Sequence, residues 1–534
     1  MRTQERRDSR RSTPQRGSPA LLAVFTTLLF VSATLILTAQ ASAQSTTAQE
    51  ASSGFSPSGR ILGTFVDSSG TFRNATNNPA VVNRSNAFFD SSLGTNGQAC
   101  VTCHQPDQGF SVIVPFIDRQ FDRSQGLDPL FRANDTASRP DADLSTLAKR
   151  RQAFQLALDL GVFRIGKTLP ATADFSVATQ NTSRFGLLPN PADPQSSGAP
   201  TLSLFRRPLA TTNTRFDSVV LWDGRQNIHN LRAQVKGAAR TLMLGNNVND
   251  AQADSAASFM GSVFTAQETL HRVGSLSAGG AQGGAENLTA LATSPSAPCV
   301  PMTDPTQAGT FVPAVTPPTN GCIDPFRPFD LFTAWESMPA RTGRASVARG
   351  EQLFNTRQFT FPGVPGTFPC TACHATTDIG NFPFVDPNNA APNASLFVRY
   401  GLDSPEFLVH MAQVNPRVQS FVQRTSSLPV YSISISVPPE QCGPAILPNL
   451  VTGQPMLETL TRSTDLGRAL VTGSCADLGG FKPPILRGLA THAPYFHNGA
   501  AATIEDLVNF YDTIFAAHFS DQDRADLAAY LRAF

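Results

Sequence analysis

Two stretches of the chain set two thiols and an imidazole in the same fixed spacing: Cys100-Val101-Thr102-Cys103-His104 and Cys370-Thr371-Ala372-Cys373-His374. Thiols three positions apart reach the two vinyl groups of one porphyrin, and the adjacent imidazole then lies beneath the iron as its proximal ligand. The C-x-x-C-H run is the attachment signature of c-type haem. Zinc also uses Cys-x-x-Cys, but structural zinc draws two such pairs together, and these are 270 residues apart. A thioredoxin-type redox pair belongs to a βαβ pattern that neither run follows. The spacing therefore favours two covalently held haems, one on Cys100, Cys103 and His104, the other on Cys370, Cys373 and His374.

The elements that must position these motifs also repeat. Arg84-Ser85-Asn86-Ala87-Phe88-Phe89 precedes a Gly-containing loop and Cys100, and Arg349-Gly350-Glu351-Gln352-Leu353-Phe354 precedes a longer Gly/Pro loop and Cys370. A short helix in each would set an aromatic ring against the haem. This repeat predicts two cytochrome c-like domains related by a pseudo-twofold, over residues 81–339 and 340–534. The expected fold is all-α with long loop insertions. Residues 144–163 carry Leu147, Phe154, Leu158 and Phe163 among Lys, Arg and Gln, the pattern of an amphipathic helix. Residues 188–200 read as a Pro/Ser-rich loop, and 279–298 as a low-complexity surface insertion. At the C-terminus Thr503, with Asp506 at N3, caps a helix through Phe515, and Ser520 caps a last helix presenting Leu527, Tyr530, Leu531 and Phe534.

Composition excludes some partners. With 534 residues and a net charge of +1 there is no basic stripe interleaved with aromatics, and hence no case for nucleic acid. Phe is abundant at 38 and Tyr scarce at 5, which suits an interior packed around large apolar cofactors. Arg-rich residues 1–16, an apolar run over 21–38 and Ala41-Ser42-Ala43 have the order of a secretory signal peptide over 1–43, followed by a linker over 44–80. An uncleaved anchor is the alternative, since the apolar run approaches the length of a membrane span. The Arg6-Arg7 and Arg10-Arg11 pairs suggest export of a folded protein, but haem c is attached outside the cytoplasm to a chain that arrives unfolded. The expectation is a periplasmic protein with no stable membrane insertion after cleavage. Cys299, Cys322, Cys442 and Cys475 remain; local closure favours Cys299–Cys322 with Cys442–Cys475, and free buried thiols are the alternative.

These motifs together resemble the bacterial dihaem cytochrome c peroxidases and their MauG-type relatives. Phe88-Phe89-Asp90 with Cys100–Phe110 is similar to the family's first haem segment. Leu221-Trp222-Asp223-Gly224-Arg225 resembles its F-W-D-G-R motif, and Gln234-Val235-Lys236-Gly237 its Q-x-x-G. The runs 481–487 and Ala493-Pro494-Tyr495-Phe496-His497-Asn498-Gly499 resemble the stretch before its last helices. The resemblance covers residues 80–237 in patches and 340–534 more continuously. It implies that peroxide or dioxygen reacts at the N-terminal haem while the C-terminal haem transfers electrons, supplied by a small c-type cytochrome or a copper protein. Trp222 would relay between them, or else be a packed interface aromatic. Counting from Pro494 puts Tyr511 where peroxidases carry a methionine ligand, and MauG-type proteins have tyrosine there. A phenolate is a hard donor that favours ferric iron. Tyr511 is otherwise a core tyrosine on an apolar helix face.

Two positions depart from the pattern. Peroxide cleavage needs a base to move a proton to the leaving oxygen, and the family's glutamate position holds Leu244 here, which leaves His229 and Gln234 as the nearby candidates. The family's calcium is held by an asparagine and by carbonyls around its P-Y-x-H run. The count puts Arg207 at that asparagine, with His492 and Pro494 as carbonyl donors and Asn213 close by, and an arginine cannot ligate calcium. Three functions follow: a peroxidase, an oxygenase using dioxygen on a hydrophobic substrate, or a non-enzymatic electron carrier.

Overall fold

The structure, a computed structural model, describes residues 60–179, 201–217, 219–227, 230–293, 328–360, 367–374, 399–442, 446–448, 455–457 and 461–534. They fall in one unit spanning 54–534. The signal-peptide stretch 1–43, residues 188–200, His229, Cys299 and Cys322 lie outside the described residues.

The chain is helical around both motifs, in keeping with the all-α expectation, and short antiparallel ladders are added to it. The first is a hairpin of β1 (Gly63–Val66) and β2 (Gly70–Thr76). Along β2 the side chains of Phe72 and Asn74 are buried and Arg73 is exposed, the period of two that fixes a strand with one covered face. The reading of 44–80 as a linker is thus corrected over 63–76. Asn86 then accepts the N–H of Phe88 and caps a single turn, Ala87–Phe89, before α1 (Cys100–Cys103) carries the first thiols.

Residues 144–163 do not form one helix. They form α2 (Leu147–Ala153) and α3 (Gln155–Leu160), followed by β3 (Phe163–Thr168), which pairs with β4 (Thr201–Arg206). The break falls at Phe154, wholly buried with its ring centroid 5.2 Å from that of Phe131. Gly161, at φ +63°, ends α3 in the left-handed conformation and turns the chain into the strand. Packing of one large ring and one glycine turn outweighed helical periodicity.

Helices α4 (Leu231–Thr241) and α5 (Asp250–Met260) close over the first motif, burying Val235, Ala239, Ala256 and Phe259. Phe259 stacks on Phe88 at 4.5 Å and meets Phe110 edge-on at 5.6 Å. Such pairs contribute about 0.5–1.5 kcal/mol each beyond their burial. β5 (Val263–Leu270) and β6 (Gly274–Ser275) complete the sheet in the order β1-β2-β5-β6. The low-complexity reading of 279–298 is corrected by α6 (Ala285–Thr293), whose Ala285 and Leu288 are buried in the larger core.

That core continues across the boundary expected at 339/340, joining Leu270, Leu288 and Trp335 to the C-terminal helices. α7 (Gly343–Thr356) is capped by Thr342, α8 (Ile504–Ile514) opens on the Thr503 cap with Asp506 at N3 that the sequence predicts, and α9 (Asp521–Leu531) opens on the expected Ser520 cap, completed as a box by Asp523. α7 and α9 touch at Gly350, where a Cβ would lie 2.1 Å from the carbonyl oxygen of Asp526. Arg349 donates to both carboxylate oxygens of the buried Asp526, at 2.7 and 2.9 Å. Cys442 and Cys475 form a disulfide across a separation of 33 residues, as local closure favoured. Among the described residues no helix is long and apolar enough to cross a membrane.

Candidate haem-binding sites

His104 ends α1, and its Nδ1 lies 3.0 Å from the carbonyl oxygen of Phe110, which also accepts the N–H of Thr211. That contact leaves Nε2 as the nitrogen free to meet a metal. Burial lowers the pKa of His104 to about 4, so the imidazole is neutral, the ligating form, at pH 7. Burial also pushes the thiols of Cys100 and Cys370 up to about 12 and that of Cys373 to about 11. A redox-active pair requires the opposite shift, toward thiolate. Nor do the described residues contain a group of three or more His, Cys, Asp or Glu able to hold a metal ion. The donor set at each motif suits a covalently attached porphyrin.

The two sites share one local geometry. The ring of Phe88 lies 6.4 Å from that of His104 at 50°, and the ring of Phe354 lies 5.7 Å from that of His374 at 48°. At both motifs an aromatic from the preceding helix or turn lies tilted against the imidazole.

Beside the second motif is an apolar cavity with about 1200 Å³ of unfilled space, its open mouth included. Cys370, Cys373 and His374 line it together with Phe354, Tyr400, Leu489, Phe496, Leu507 and Tyr511. Tyr511 is thus brought to the site where the sequence placed it. Tyr400, which sequence reasoning missed, meets it edge-on at 5.7 Å and is hydrogen-bonded to it. Burial holds both phenols far above the ordinary tyrosine range. Tyr400 and Tyr511 are two of only five tyrosines in the chain.

Trp222 lines the same cavity and is 8% exposed. Its indole N–H donates to the carbonyl of Arg207 at 2.8 Å, and its ring meets that of His497 at 6.2 Å. The next residue, Asp223, is paired with Arg206 and Arg225, while Arg206 also grips Asp465. Burial acts to raise the Asp223 pKa, but the guanidiniums of Arg225 and Arg206 hold it well below the carboxylate range. This buried network fixes the backbone that carries Trp222.

Gln234 is half-buried on α4, beside the core residue Val235, and Leu244 follows α4 at φ +57°. Near the first motif a second group was missed: Asp135 is fully buried, accepts hydrogen bonds from Gln98 and Thr136, and bears electrostatically on Cys103. Burial raises its pKa to about 6. No spacing in the sequence marked it, because it stands 32 residues from Cys103 in an irregular stretch.

Calcium does not fit. Arg207 is buried and donates to the very carbonyls, His492 and Pro494, that the ion would need. Asn213 is engaged on both sides of its amide by the main chain of Thr265.

No protein-family model matches the chain. It is 37% identical over 73 residues to the cytochrome c551 peroxidase of Nitrosomonas europaea, covering 14% of this chain and 22% of that protein. It is 43% identical over 49 residues to the cytochrome-c peroxidase IdrP2 of Denitromonas iodatirespirans, covering 9% of this chain and 13% of the relative. Over these short stretches, well under two thirds of either relative, the chain is similar to bacterial cytochrome c peroxidases.

Proposed function

We propose that this protein is a periplasmic dihaem c-type oxidoreductase of the peroxidase/MauG type, taking electrons from a small c-type cytochrome or copper protein at the C-terminal site and reducing hydrogen peroxide at the N-terminal one. Bound haem c would supply one-electron chemistry at iron and, at one site, an open face for a small oxidant. Cys100, Cys103, Cys370 and Cys373 would hold the two porphyrins. His104 and His374 would be the proximal ligands, and Tyr511 the distal ligand of the second. The observation that carries this reading is the position of Trp222. It lines the cavity of the second motif, and its indole is anchored to Arg207, whose side chain donates to Val112 just beyond the first motif.

A specific observation favours a second reading. Leu244 cannot move a proton, and Gln234 can orient a bound oxidant but is no base. A dihaem oxygenase, binding dioxygen and acting on a hydrophobic substrate, has less need of that base. Steady peroxide turnover with reduced cytochrome c supports the peroxidase. A stable oxygen adduct without peroxide turnover supports the oxygenase. If both irons are inert to peroxide, cyanide and oxygen, only an electron carrier survives.

A further inference from the structure

The side chain of Arg207 is 4% exposed, and among the described residues it has no carboxylate partner. Its fork is met by main-chain oxygens instead. Nε donates to Pro494 at 3.1 Å, and Nη1 to Gly161 at 2.7 Å. Nη2 donates to Val112 at 2.7 Å and reaches His492 at 3.2 Å and Ala493 at 3.4 Å. These oxygens come from three separate parts of the chain: the segment after the first haem motif, the end of α3, and the wall of the second haem cavity.

Converging carbonyls of this kind are what a hard cation uses. A buried cation with no counter-ion persists only where such dipoles surround it. The cradle is also shaped for this group. At Gly161 a Cβ would lie 2.2 Å from Nη1 of Arg207, so only glycine admits the guanidinium. The main-chain carbonyl of Arg207 accepts the indole N–H of Trp222, and the main-chain N–H of Arg207 donates to the carbonyl of His497 at 2.6 Å.

We propose that the guanidinium of Arg207 is a tethered cation doing the work of the calcium ion that the resemblance implies, so that the junction carrying Trp222 is held without a metal. Cation and calcium cannot share the cradle: they would compete for the same oxygens and repel each other. The proposal is independent of whether the oxidant is peroxide or dioxygen.

The full-length protein carrying its haems is dialysed against EGTA and its calcium content measured. No calcium above background is expected, with optical and paramagnetic-resonance spectra and melting temperature unchanged by chelator or by millimolar calcium. Stoichiometric calcium, or a spectrum or melting point that follows it, overturns the proposal even if every variant fails to fold. In Arg207→Asn an amide replaces the tethered charge. That variant is expected to melt at least about 5 °C below the wild type in chelator, and to regain stability when calcium is added. Equal melting points in chelator, or indifference of the variant to calcium, also overturn it.

Discussion

The indole N–H of Trp222 is bonded to the carbonyl of Arg207 across 2.8 Å, so the aromatic on the cavity wall is held by the residue whose side chain ties three chain segments together. In the relay role proposed for Trp222 its distance to each site must stay fixed, and this contact holds the ring from the side of its only polar atom.

Trp222→Phe keeps an aromatic ring on the wall and removes the hydrogen bond. Both haems should remain attached, while kcat for peroxide turnover with reduced cytochrome c falls by at least about tenfold because electron transfer between the sites slows. Unchanged turnover would reduce Trp222 to a packing residue.

Tyr511→Phe should abolish the low-spin ferric signature of the second haem while leaving the first untouched. Tyr400→Phe should keep that signature but shift it, because the partner hydroxyl hydrogen-bonded to Tyr511 is lost. A Tyr511→Phe protein with an unaltered second haem would return Tyr511 to the core.

Glu351 on α7 is 2% exposed and accepts the N–H of Phe332 at 3.0 Å. Burial raises its pKa from 4.5 to about 7. Between those values the folded protein binds a proton that the unfolded chain has released, so stability should fall as pH rises through that window. The loss is on the order of 3 kcal/mol. Glu351→Gln should flatten the slope of melting temperature against pH between 4.5 and 7; an unchanged slope would place the titration elsewhere.

Reducing the Cys442–Cys475 bridge, or replacing both residues by serine, should lower stability by about 2–4 kcal/mol, the range for closing a loop of this length. Denaturant titration reads the difference directly, and no shift in midpoint would mean that the loop is held by its packing alone.

Much of the site could be read from residue types and spacing. The C-x-x-C-H runs marked His104 and His374 as candidate ligands, and counting from Pro494 pointed to Tyr511, which lines one cavity with His374. The capping boxes at Thr503 and Ser520 appeared in place because such signals are local. What escaped was decided by distant packing. Phe154 broke an amphipathic pattern by burying itself against Phe131, and β2 is covered on its second edge by β5, nearly two hundred residues later. The role of Arg207 was half visible: its position counted against calcium without excluding it, and nothing in the sequence showed the carbonyls of Val112 and Gly161 converging on it.

The measurement that bears most directly on the whole reading is the mass of the purified full-length protein, taken with its ferric paramagnetic-resonance spectrum. Two haem additions to one chain, with two inequivalent irons of which one has an open coordination position, is the expected result. Fewer than two additions, or two indistinguishable irons, would contradict it.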